Sequence, residues 1–283
     1  MVQTEINKIA IAISLNKQYT SHCLVLLSSI LKNSSNPSNI HFYIFTKENE
    51  KVDIRSISRI VEKYHAKIDF IEILPQRYRD LSQIEYKTVD AYSRIFAPKM
   101  LLELGHEKII YCDTDLMVRR DIKALWDTDL GDSTIGAIRD DYYEIAEGFG
   151  PLFNSGLMLI NTERWSQRKI EEQVVQEIRH GETGKMVLAD QDDLNRVLAK
   201  DWMILNPRWN TMAGDLMSGK VLYKDSYIIH FNGNKYNKPD YLWNEHPAKS
   251  EYYRYLRIGK RSLIPLFHIP AWIVHIIRLF ISV

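Results

Sequence analysis

Short apolar segments alternate with longer amphipathic segments through the first 112 residues of the chain. Continuous apolar runs of about four to eight residues are typical of buried strands, and apolar residues at every third or fourth position are typical of helices. The pattern predicts strands at 8–13, 40–46, 67–73 and 108–112. It predicts helices between them at 19–31, 53–64 and 90–104. Such alternation indicates βαβ units and a mostly parallel sheet, in which ligands bind beside the carboxyl ends of the strands.

The pattern is less regular after residue 115. It predicts strands at 134–138, 156–160 and 227–230, and helices at 164–179 and 191–199. Neither an internal repeat nor a linker rich in Gly and Ser divides the chain. We therefore predict an α/β fold with one domain at 1–251 and a separate tail at 252–283.

Composition narrows the class of protein. With 283 residues, of which 45% are apolar and 26% are charged, the chain can form a sizeable core and is unlike a disordered or coiled-coil protein. The near balance of 37 Lys and Arg with 36 Asp and Glu argues against a nucleic-acid partner. Cys23 and Cys112 are the only cysteines, too few for a disulfide framework or a cysteine-based zinc site. Their number fits a reducing compartment.

The basic charge is concentrated at the C-terminal end. Residues 252–283 contain five Lys or Arg and no Asp or Glu, which leaves 32 basic against 36 acidic residues in the rest of the chain. Within this tail, residues 260–283 are mostly apolar, but Pro265, Pro270 and Arg278 interrupt them. A helix starting at Pro270 would have a narrow polar stripe, which favours an amphipathic helix lying in a membrane interface. The alternative is a helix packed on the domain or on another subunit.

The strongest chemical signal is the sequence Asp113-Thr114-Asp115, directly after the strand predicted at 108–112. Residues two apart on an extended strand point the same way, so both carboxylates face one side at the strand's end. Two hard oxygen ligands with no thiolate nearby suit Mg²⁺ or Mn²⁺ better than zinc. The alternative is a pair of solvated carboxylates in a turn.

Two further segments carry candidate ligands. The sequence DQDD at 190–193 begins a helical pattern, where acids complement the helix dipole. Three carboxylates and an amide are more than a helix N-terminus needs, so this segment could also hold the hydroxyls of a sugar. His230 ends the last predicted strand. It is either a structural residue or a neutral imidazole that joins Asp113 and Asp115 at one metal.

The residues after His230 could approach a phosphate. Gly233 permits close approach of the backbone, and Lys235 or Lys238 supplies a positive charge. The sequence NSG at 154–156 needs no function, since a turn explains it. Motifs of P-loop enzymes, dinucleotide-binding folds, serine hydrolases and zinc proteases are absent from the sequence.

Taken in sequence order, four segments resemble family 8 of the glycosyltransferases. They are YCDTDLMV with the following LWDTDLGD, then FNSGLMLINTERW, ADQDDLN and IIHFNGNKYNKP. The family contains retaining, metal-dependent enzymes related to glycogenin, and the resemblance extends over about residues 8–245. It is greatest for the bacterial lipooligosaccharide and lipopolysaccharide α-galactosyl- and α-glucosyltransferases. The resemblance implies a GT-A fold, which is a Rossmann-like domain with a mixed central sheet.

The resemblance also implies an activity and a set of site residues. The expected enzyme moves galactose or glucose from UDP-galactose or UDP-glucose to a saccharide acceptor with Mn²⁺, or alternatively Mg²⁺, as cofactor. The implied metal ligands are Asp113, Asp115 and His230. The implied catalytic residues are Gln191 and Asp190, and the implied acceptor-binding residue is Asp140. The implied donor-binding residues are Ser14, Asn16, Tyr19, Arg94, Asp113, Thr114, Asn154, Ser155, Gly233 and Lys238.

The chain departs from the family's pattern at three places. Asn16 stands where the family usually has an Asp that recognises uracil, although an amide still donates and accepts hydrogen bonds. The interval from Gly233 to the Lys-Pro pair is two residues longer than in the bacterial branch, so Lys235 and Lys238 compete for the phosphate role. Asp240 stands where the usual residue is Trp.

We expect attack on the same face from which the diphosphate departs, with Gln191 stabilising the cationic sugar. The competing hypotheses are a non-catalytic nucleotide-sugar-binding or scaffold protein and a nucleotidyltransferase. The latter would require a Gly-rich basic loop after the first strand, and that loop is missing. The opening residues MVQTEINK do not form a secretory signal. We expect a cytoplasmic protein held peripherally on the inner face of the membrane by its tail, with a lipid-linked or glycoprotein acceptor.

Overall fold

The computed structural model describes residues 8–74, 89–141, 151–180, 190–233, 237–240, 245–259 and 273. The strands in these ranges are β1 (Ile9–Ser14), β2 (Ile40–Lys47), β3 (Lys67–Ile73), β4 (Lys108–Cys112), β5 (Leu116–Val118), β6 (Ile135–Arg139), β7 (Phe153–Asn161), β8 (Trp202–Ile204), β9 (Thr211–Met212) and β10 (Ile228–His230). The helices are α1 (Thr20–Asn33), α2 (Ile54–Lys63), α3 (Val89–Glu103), α4 (Lys123–Trp126), α5 (Thr162–Gln167), α6 (Ile170–His180), α7 (Asp190–Leu198), α8 (Ala213–Met217) and α9 (Lys249–Gly259).

The central sheet has seven strands in the order β3-β2-β1-β4-β7-β6-β8. The four strands of the N-terminal half run parallel to one another. β7 is antiparallel to both β4 and β6, and β8 is parallel to β6. The predicted α/β fold with a mixed central sheet is therefore confirmed. The parallel half brings the ends of β1 and β4 together at one edge, where the sequence concentrates its polar residues.

A second sheet of three short strands, β5-β10-β9, lies beside the central one. β5 and β10 are antiparallel, and β10 and β9 are parallel. The sequence pattern predicts β10 but neither β5 nor β9, because two or three residues are too few to show a period. This small sheet matters for the site, since it pairs His230 with Leu116, one residue beyond Asp115.

Apolar layers cover both faces of the central sheet. β1 is buried along its whole length. Ile9, Ile11 and Ile13 pack in the layer that contains α1, α2 and α9, while Ala10 and Ala12 face the layer that contains α3. Burying one such isoleucine contributes about 1.5–3 kcal/mol, so this alternation fixes the register of β1 against its neighbours.

The single helix predicted at 164–179 is wrong, because two helices occupy this segment. α5 begins after Asn161, whose side chain accepts a hydrogen bond from the Arg164 backbone N–H at 3.0 Å. It ends before Lys169, which has a φ of 54°. A non-glycine residue in the left-handed region cannot continue a right-handed helix, so α6 starts afresh at Ile170.

α9 packs on α1 and α2 and contains the residue at which the tail was predicted to begin. Tyr252 and Tyr255 are buried, and a Cβ at Gly259 would lie 2.9 Å from Leu24 Cβ. Apart from Ile273, residues 260–283 lie outside the described residues, so the membrane-interface helix and the division into two parts stay predictions. In the described part of the chain, no helix has the length and apolar character needed to cross a membrane.

Candidate active site

Two strand pairings bring Asp113, Asp115 and His230 to one point at the carboxyl end of β4. The Asp113 backbone N–H donates to the Gly156 carbonyl in β7 at 2.8 Å. The Phe231 backbone N–H donates to the Asp115 carbonyl at 2.9 Å, next to the β5–β10 ladder. The two aspartates are therefore held by the central sheet on one side and by the small sheet on the other.

The three side chains form a set of donors that could hold a metal ion. Each offers one atom, and these atoms lie within 4.8 Å of one another. His230 Nε2 is 3.3 Å from Asp115 Oδ1 and 4.0 Å from Asp113 Oδ2. Two carboxylate oxygens and one imidazole nitrogen, without a thiolate, suit a hard divalent cation. The residues present therefore fit the metal that the family resemblance implies.

Gly156 is a site residue whose importance the sequence did not reveal. A Cβ at this position would lie 2.3 Å from His230 Cε1 and 2.8 Å from Asp113 Oδ2. Real Cβ atoms do not approach other atoms so closely, so any side chain here would displace two of the three candidate ligands. The sequence Asn154-Ser155-Gly156, explained above as a turn, lies instead in β7 against the metal-binding residues.

Asp115 is partnered on both of its carboxylate oxygens. Lys238 Nζ lies 3.2 Å from Asp115 Oδ2 and also 4.9 Å from the centre of the Tyr19 ring. Burial alone would raise the pKa of Asp115, but His230 and Lys238 hold it well below the usual range. Burial alone would lower the pKa of Lys238, and Asp115 raises it above the ordinary value. Asp115 and Lys238 are therefore both charged at neutral pH.

Arg94 connects the metal-binding residues to α7. Its Nη2 lies 2.8 Å from Asp113 Oδ1, and its Nε lies 3.0 Å from Asp190 Oδ2. Its Nη1 donates to Ser155 Oγ. Burial would lower the pKa of Arg94, but Asp113 and Asp190 raise it further above its ordinary value. The Tyr111 hydroxyl donates to the same Asp113 oxygen at 3.0 Å, so one oxygen of Asp113 is used for positioning.

Gln191 is the centre of a second buried network. Its Nε2 donates to Asp140 Oδ2 at 3.2 Å. Its Oε1 accepts from the Ser155 backbone N–H at 3.1 Å and from Asn154 Nδ2 at 3.2 Å. Asn154 Nδ2 also lies 3.3 Å from Asp140 Oδ2. The structure thus places Asp140, directly after β6, in contact with Asn154 of β7 and Gln191 of α7, next to Arg94.

Two asparagines that the sequence analysis missed support this network. Asn195 Oδ1 accepts from the Phe153 backbone N–H at 2.8 Å, and Asn195 Nδ2 donates to the Phe153 carbonyl at 2.9 Å. Asn210 Nδ2 donates to Asn154 Oδ1 at 2.9 Å. Asn195 lies four residues after Gln191 on α7, so helical spacing could have revealed it. Asn210 is the last residue of a short 3₁₀ segment, Pro207–Asn210, and carries no periodic signal.

The remaining predicted residues lie around the same edge of the sheet. Ser14 Oγ donates to Ser93 Oγ at 3.0 Å, beside Arg94. Asn16 Oδ1 accepts from the Tyr19 backbone N–H at 3.2 Å and so caps a 3₁₀ turn. Thr114 is buried between the two aspartates.

The loop after β10 includes two of the predicted donor-binding residues. Gly233 has a φ of 84°, in the left-handed region that favours glycine. A Cβ there would lie 2.9 Å from Asn237 Nδ2, which donates to the Asn232 carbonyl at 3.0 Å. Of the two competing lysines, Lys238 is the one described, and Lys235 lies outside the described residues.

A cavity of about 330 Å³ is lined in part by Asp140 and Asn210. Its wall carries three pairs of opposite charge. They are Arg139 with Asp141 at 2.6 Å, Lys220 with Asp215 at 3.3 Å and Arg208 with Asp225 at 3.9 Å. The wall therefore combines charged hydrogen-bonding groups with apolar side chains such as Ile138 and Met212, and a polar ligand could contact both.

The chain is similar in sequence or structure to several known proteins over most of its length. General stress protein A of Bacillus subtilis is 29% identical over 268 residues, which cover 87% of this chain and 92% of that protein. Lipopolysaccharide glucosyltransferase WaaO of Escherichia coli K12 is 25% identical, with 86% of this chain and 76% of that protein covered. The crystal structure of the galactosyltransferase LgtC with donor and acceptor sugar analogues matches with a TM-score of 0.71 and 22% identity, over 91% of this chain and 98% of that one.

The structural match confirms the predicted GT-A fold. The model of one protein family, "Glycosyl transferase family 8", matches residues 10–245, the same part of the chain over which the motifs were compared. This range contains every candidate site residue described above, from Ser14 to Lys238. The chain therefore belongs to glycosyl transferase family 8.

Proposed function

We propose that the chain is a retaining α-hexosyltransferase that moves galactose or glucose from a UDP-sugar to a glycan acceptor with Mn²⁺. The observation that carries this proposal is the convergence of Asp113, Asp115 and His230 within 4.8 Å, next to the buried Gln191 network, in a member of family 8. The names of relatives such as WaaO and LgtC support a hexose as the transferred group. Mg²⁺ fits the same donor set and is the alternative ion.

The residues of the site divide the work on the donor. When bound, a divalent ion supplies Lewis-acid neutralisation of the charge that develops on the leaving diphosphate. Lys238 adds a positive charge at the same edge, and Gly233 leaves room for close approach of the backbone. Ser14 ends β1, and Asn16 and Tyr19 follow it, where the nucleoside would bind.

The contacts of Asp190 and Gln191 favour attack on the same face from which the diphosphate departs. Asp190 is ion-paired to Arg94 at 3.0 Å, which reduces the nucleophilicity of its carboxylate. The Gln191 side-chain oxygen is an amide oxygen and a weak nucleophile, but its dipole can stabilise a cationic sugar at short range. We therefore assign Gln191 to stabilising the transition state and Asp190 to holding sugar hydroxyls with Arg94.

The cavity beside Asp140 is our candidate for the acceptor site. Asp140 touches Gln191 and Asn154 and also lines the cavity, so a hydroxyl bound there would lie next to the reacting sugar. A lipid-linked or lipopolysaccharide glycan fits the basic, apolar tail, which would hold the protein on the inner face of the cytoplasmic membrane. A glycoprotein acceptor would require no membrane contact.

A panel of UDP-sugars tests the proposal. Purified protein with Mn²⁺ is expected to release UDP from UDP-galactose or UDP-glucose faster than from UDP-N-acetylhexosamines, because similar proteins are named as glucosyl- and galactosyltransferases. With an acceptor, NMR of the product should show an α-linkage; a β-linkage from the α-donor contradicts retention. Nucleotide binding without turnover of any donor would favour the non-catalytic hypothesis instead.

A further inference from the structure

The two carboxylate oxygens of Asp115 contact different residues, the candidate metal ligand His230 and the lysine Lys238. Oδ1 lies 3.3 Å from His230 Nε2, and Oδ2 lies 3.2 Å from Lys238 Nζ. The three side chains are only 15%, 5% and 19% exposed, so solvent screens their interaction weakly. Any cation that binds Asp115 therefore meets the Lys238 ammonium group at a distance of a few ångström.

Charge counting shows that this encounter is unfavourable without a further anion. Asp113 already has one cationic partner, Arg94 at 2.8 Å, and Asp115 has Lys238. Asp190 also pairs with Arg94 at 3.0 Å, so three carboxylates face two cations, and a divalent ion held by both aspartates would change the net charge of this cluster from −1 to +1. Since like charges at close range in a partly buried site repel strongly, either the metal affinity falls or Lys238 must move away.

A nucleoside diphosphate removes the conflict. It brings negative oxygens that can take both the lysine and the metal ion, and Gly233 opens the backbone of the same loop to such a group. Tyr19 contributes an aromatic face 4.9 Å from Lys238 Nζ, which keeps the ammonium group at this edge when it leaves Asp115. The nucleotide thus relieves the repulsion between the two cations.

We propose that Lys238 couples the two ligands of the site. It neutralises Asp115 until a nucleoside diphosphate takes its ammonium group, and it thereby makes tight binding of the divalent ion depend on the nucleotide. By linkage, the metal ion strengthens nucleotide binding by the same factor. The inference rests on the proposed function, because it requires a metal ion and a diphosphate to share this site.

Binding of Mn²⁺ to the full chain tests the proposal without any turnover. The dissociation constant is measured by electron paramagnetic resonance for the wild type, Lys238→Met and Lys238→Arg, each with and without UDP. Lys238→Met is expected to bind Mn²⁺ about tenfold more tightly than the wild type when UDP is absent, because the competing charge is gone. The same variant should gain less from UDP than the wild type does. Lys238→Arg keeps the charge and should keep the coupling.

A matched control comes from a lysine in an ion pair away from the site. Lys99→Met removes the contact of Lys99 with Glu172 at 2.8 Å and should leave both dissociation constants unchanged. If Lys238→Met folds with wild-type circular dichroism but binds Mn²⁺ no more tightly without UDP, the coupling role is wrong and the proposed function still stands. If the wild type binds no Mn²⁺ even with UDP, the proposed function fails together with the inference.

Discussion

Both ends of the parallel strands carry His, Asp and Tyr side chains, but these side chains have different contacts at the two ends. At the amino end, His41, Tyr43, His106 and Asp69 form a chain of contacts. His41 Nε2 lies 2.6 Å from Asp69 Oδ2, and the Tyr43 hydroxyl lies 2.9 Å from His41 Nδ1 and 2.6 Å from His106 Nε2. One direction of donation satisfies all of these contacts: from His106 to Tyr43, from Tyr43 to His41, and from His41 to the carboxylate.

The polar atoms of the amino-end cluster hydrogen-bond to one another. The residues at the carboxyl end instead direct their possible metal-ligand atoms towards one point. Asp113, Asp115 and His230 bring three ligand atoms within 4.8 Å, and Arg94 and Lys238 surround them with positive charge. A closed hydrogen-bond chain needs no ligand, while convergent carboxylates are stable only with cations nearby. The partners of the polar side chains, rather than their residue types, therefore distinguish a structural cluster from a binding site.

Removing the two carboxylates should have the largest effect on function. The double variant Asp113→Asn, Asp115→Asn is expected to lower UDP-hexose turnover about a thousandfold or more, because the ion that neutralises the leaving diphosphate then loses both carboxylate ligands. The amino-end cluster should be untouched, but Arg94 and Lys238 lose charged partners, so the fold of the variant is checked by circular dichroism before turnover is measured. Undiminished turnover of the folded variant in Mn²⁺ would end the metal assignment.

Adding one methyl group beside the site should weaken metal binding. The Cβ of Gly156→Ala would lie 2.3 Å from His230 Cε1, so the imidazole must shift. We expect Mn²⁺ affinity in the presence of UDP to fall about 10- to 100-fold, as for lost positioning contacts of metal ligands.

The matched control for this variant is Gly136→Ala in β6. Its Cβ would meet the side-chain ends of Leu130 and Leu205 at 2.8 and 3.0 Å, and these can give way. Metal affinity of Gly136→Ala should stay unchanged even if its stability falls. Equal affinity for wild type and Gly156→Ala would show that the ligands do not depend on close approach of β7.

The amino-end cluster should respond in the opposite way, with lost stability and intact function. Tyr43→Phe removes the hydroxyl that joins His41 to His106 and leaves two buried nitrogens without their partner. The free energy of unfolding, measured by urea denaturation, is expected to fall by about 1–3 kcal/mol. Turnover of UDP-hexose at saturating donor should match the wild type. A large loss of turnover at full folding would contradict the separation of the two ends.

The smallest expected effect is the pH dependence of stability. Burial lowers the pKa of both His41 and His106 below the ordinary 6.5, although Asp69 partly opposes this for His41. The unfolded chain therefore binds protons first, and the contribution of these residues is present above pH 6.5 and lost as the pH falls from there towards the lowered values. Unfolding free energies between pH 7.5 and 5 should show this decline. His106→Gln should reduce the slope, and an unchanged slope would contradict the buried neutral state.

The sequence allowed the parallel half of the fold to be predicted, because continuous apolar runs such as β1 and β4 carry their own signal. It did not predict the break at Lys169, since a left-handed residue between two amphipathic helices leaves the periodicity intact. β5 and β9 were missed because they are two or three residues long and exist through pairing with β10.

The sequence likewise predicts only part of the site, namely the residues that are close together along the chain. The aspartates at 113 and 115 can be predicted as a pair, because they lie two residues apart directly after a buried strand. Gly156, Asn195 and Asn210 act through contacts with residues that are distant in sequence, for example Asn210 with Asn154. No local pattern records such contacts, so their roles emerge only when β7, α7 and the small sheet are assembled.

Metal removal tests the central claim most directly. UDP release from UDP-galactose and UDP-glucose is measured on protein treated with EDTA, and then during titration with Mn²⁺. Our account predicts negligible release after EDTA and saturable recovery with Mn²⁺, because the site at Asp113, Asp115 and His230 neutralises the leaving group through the ion. Full turnover in excess EDTA would contradict it.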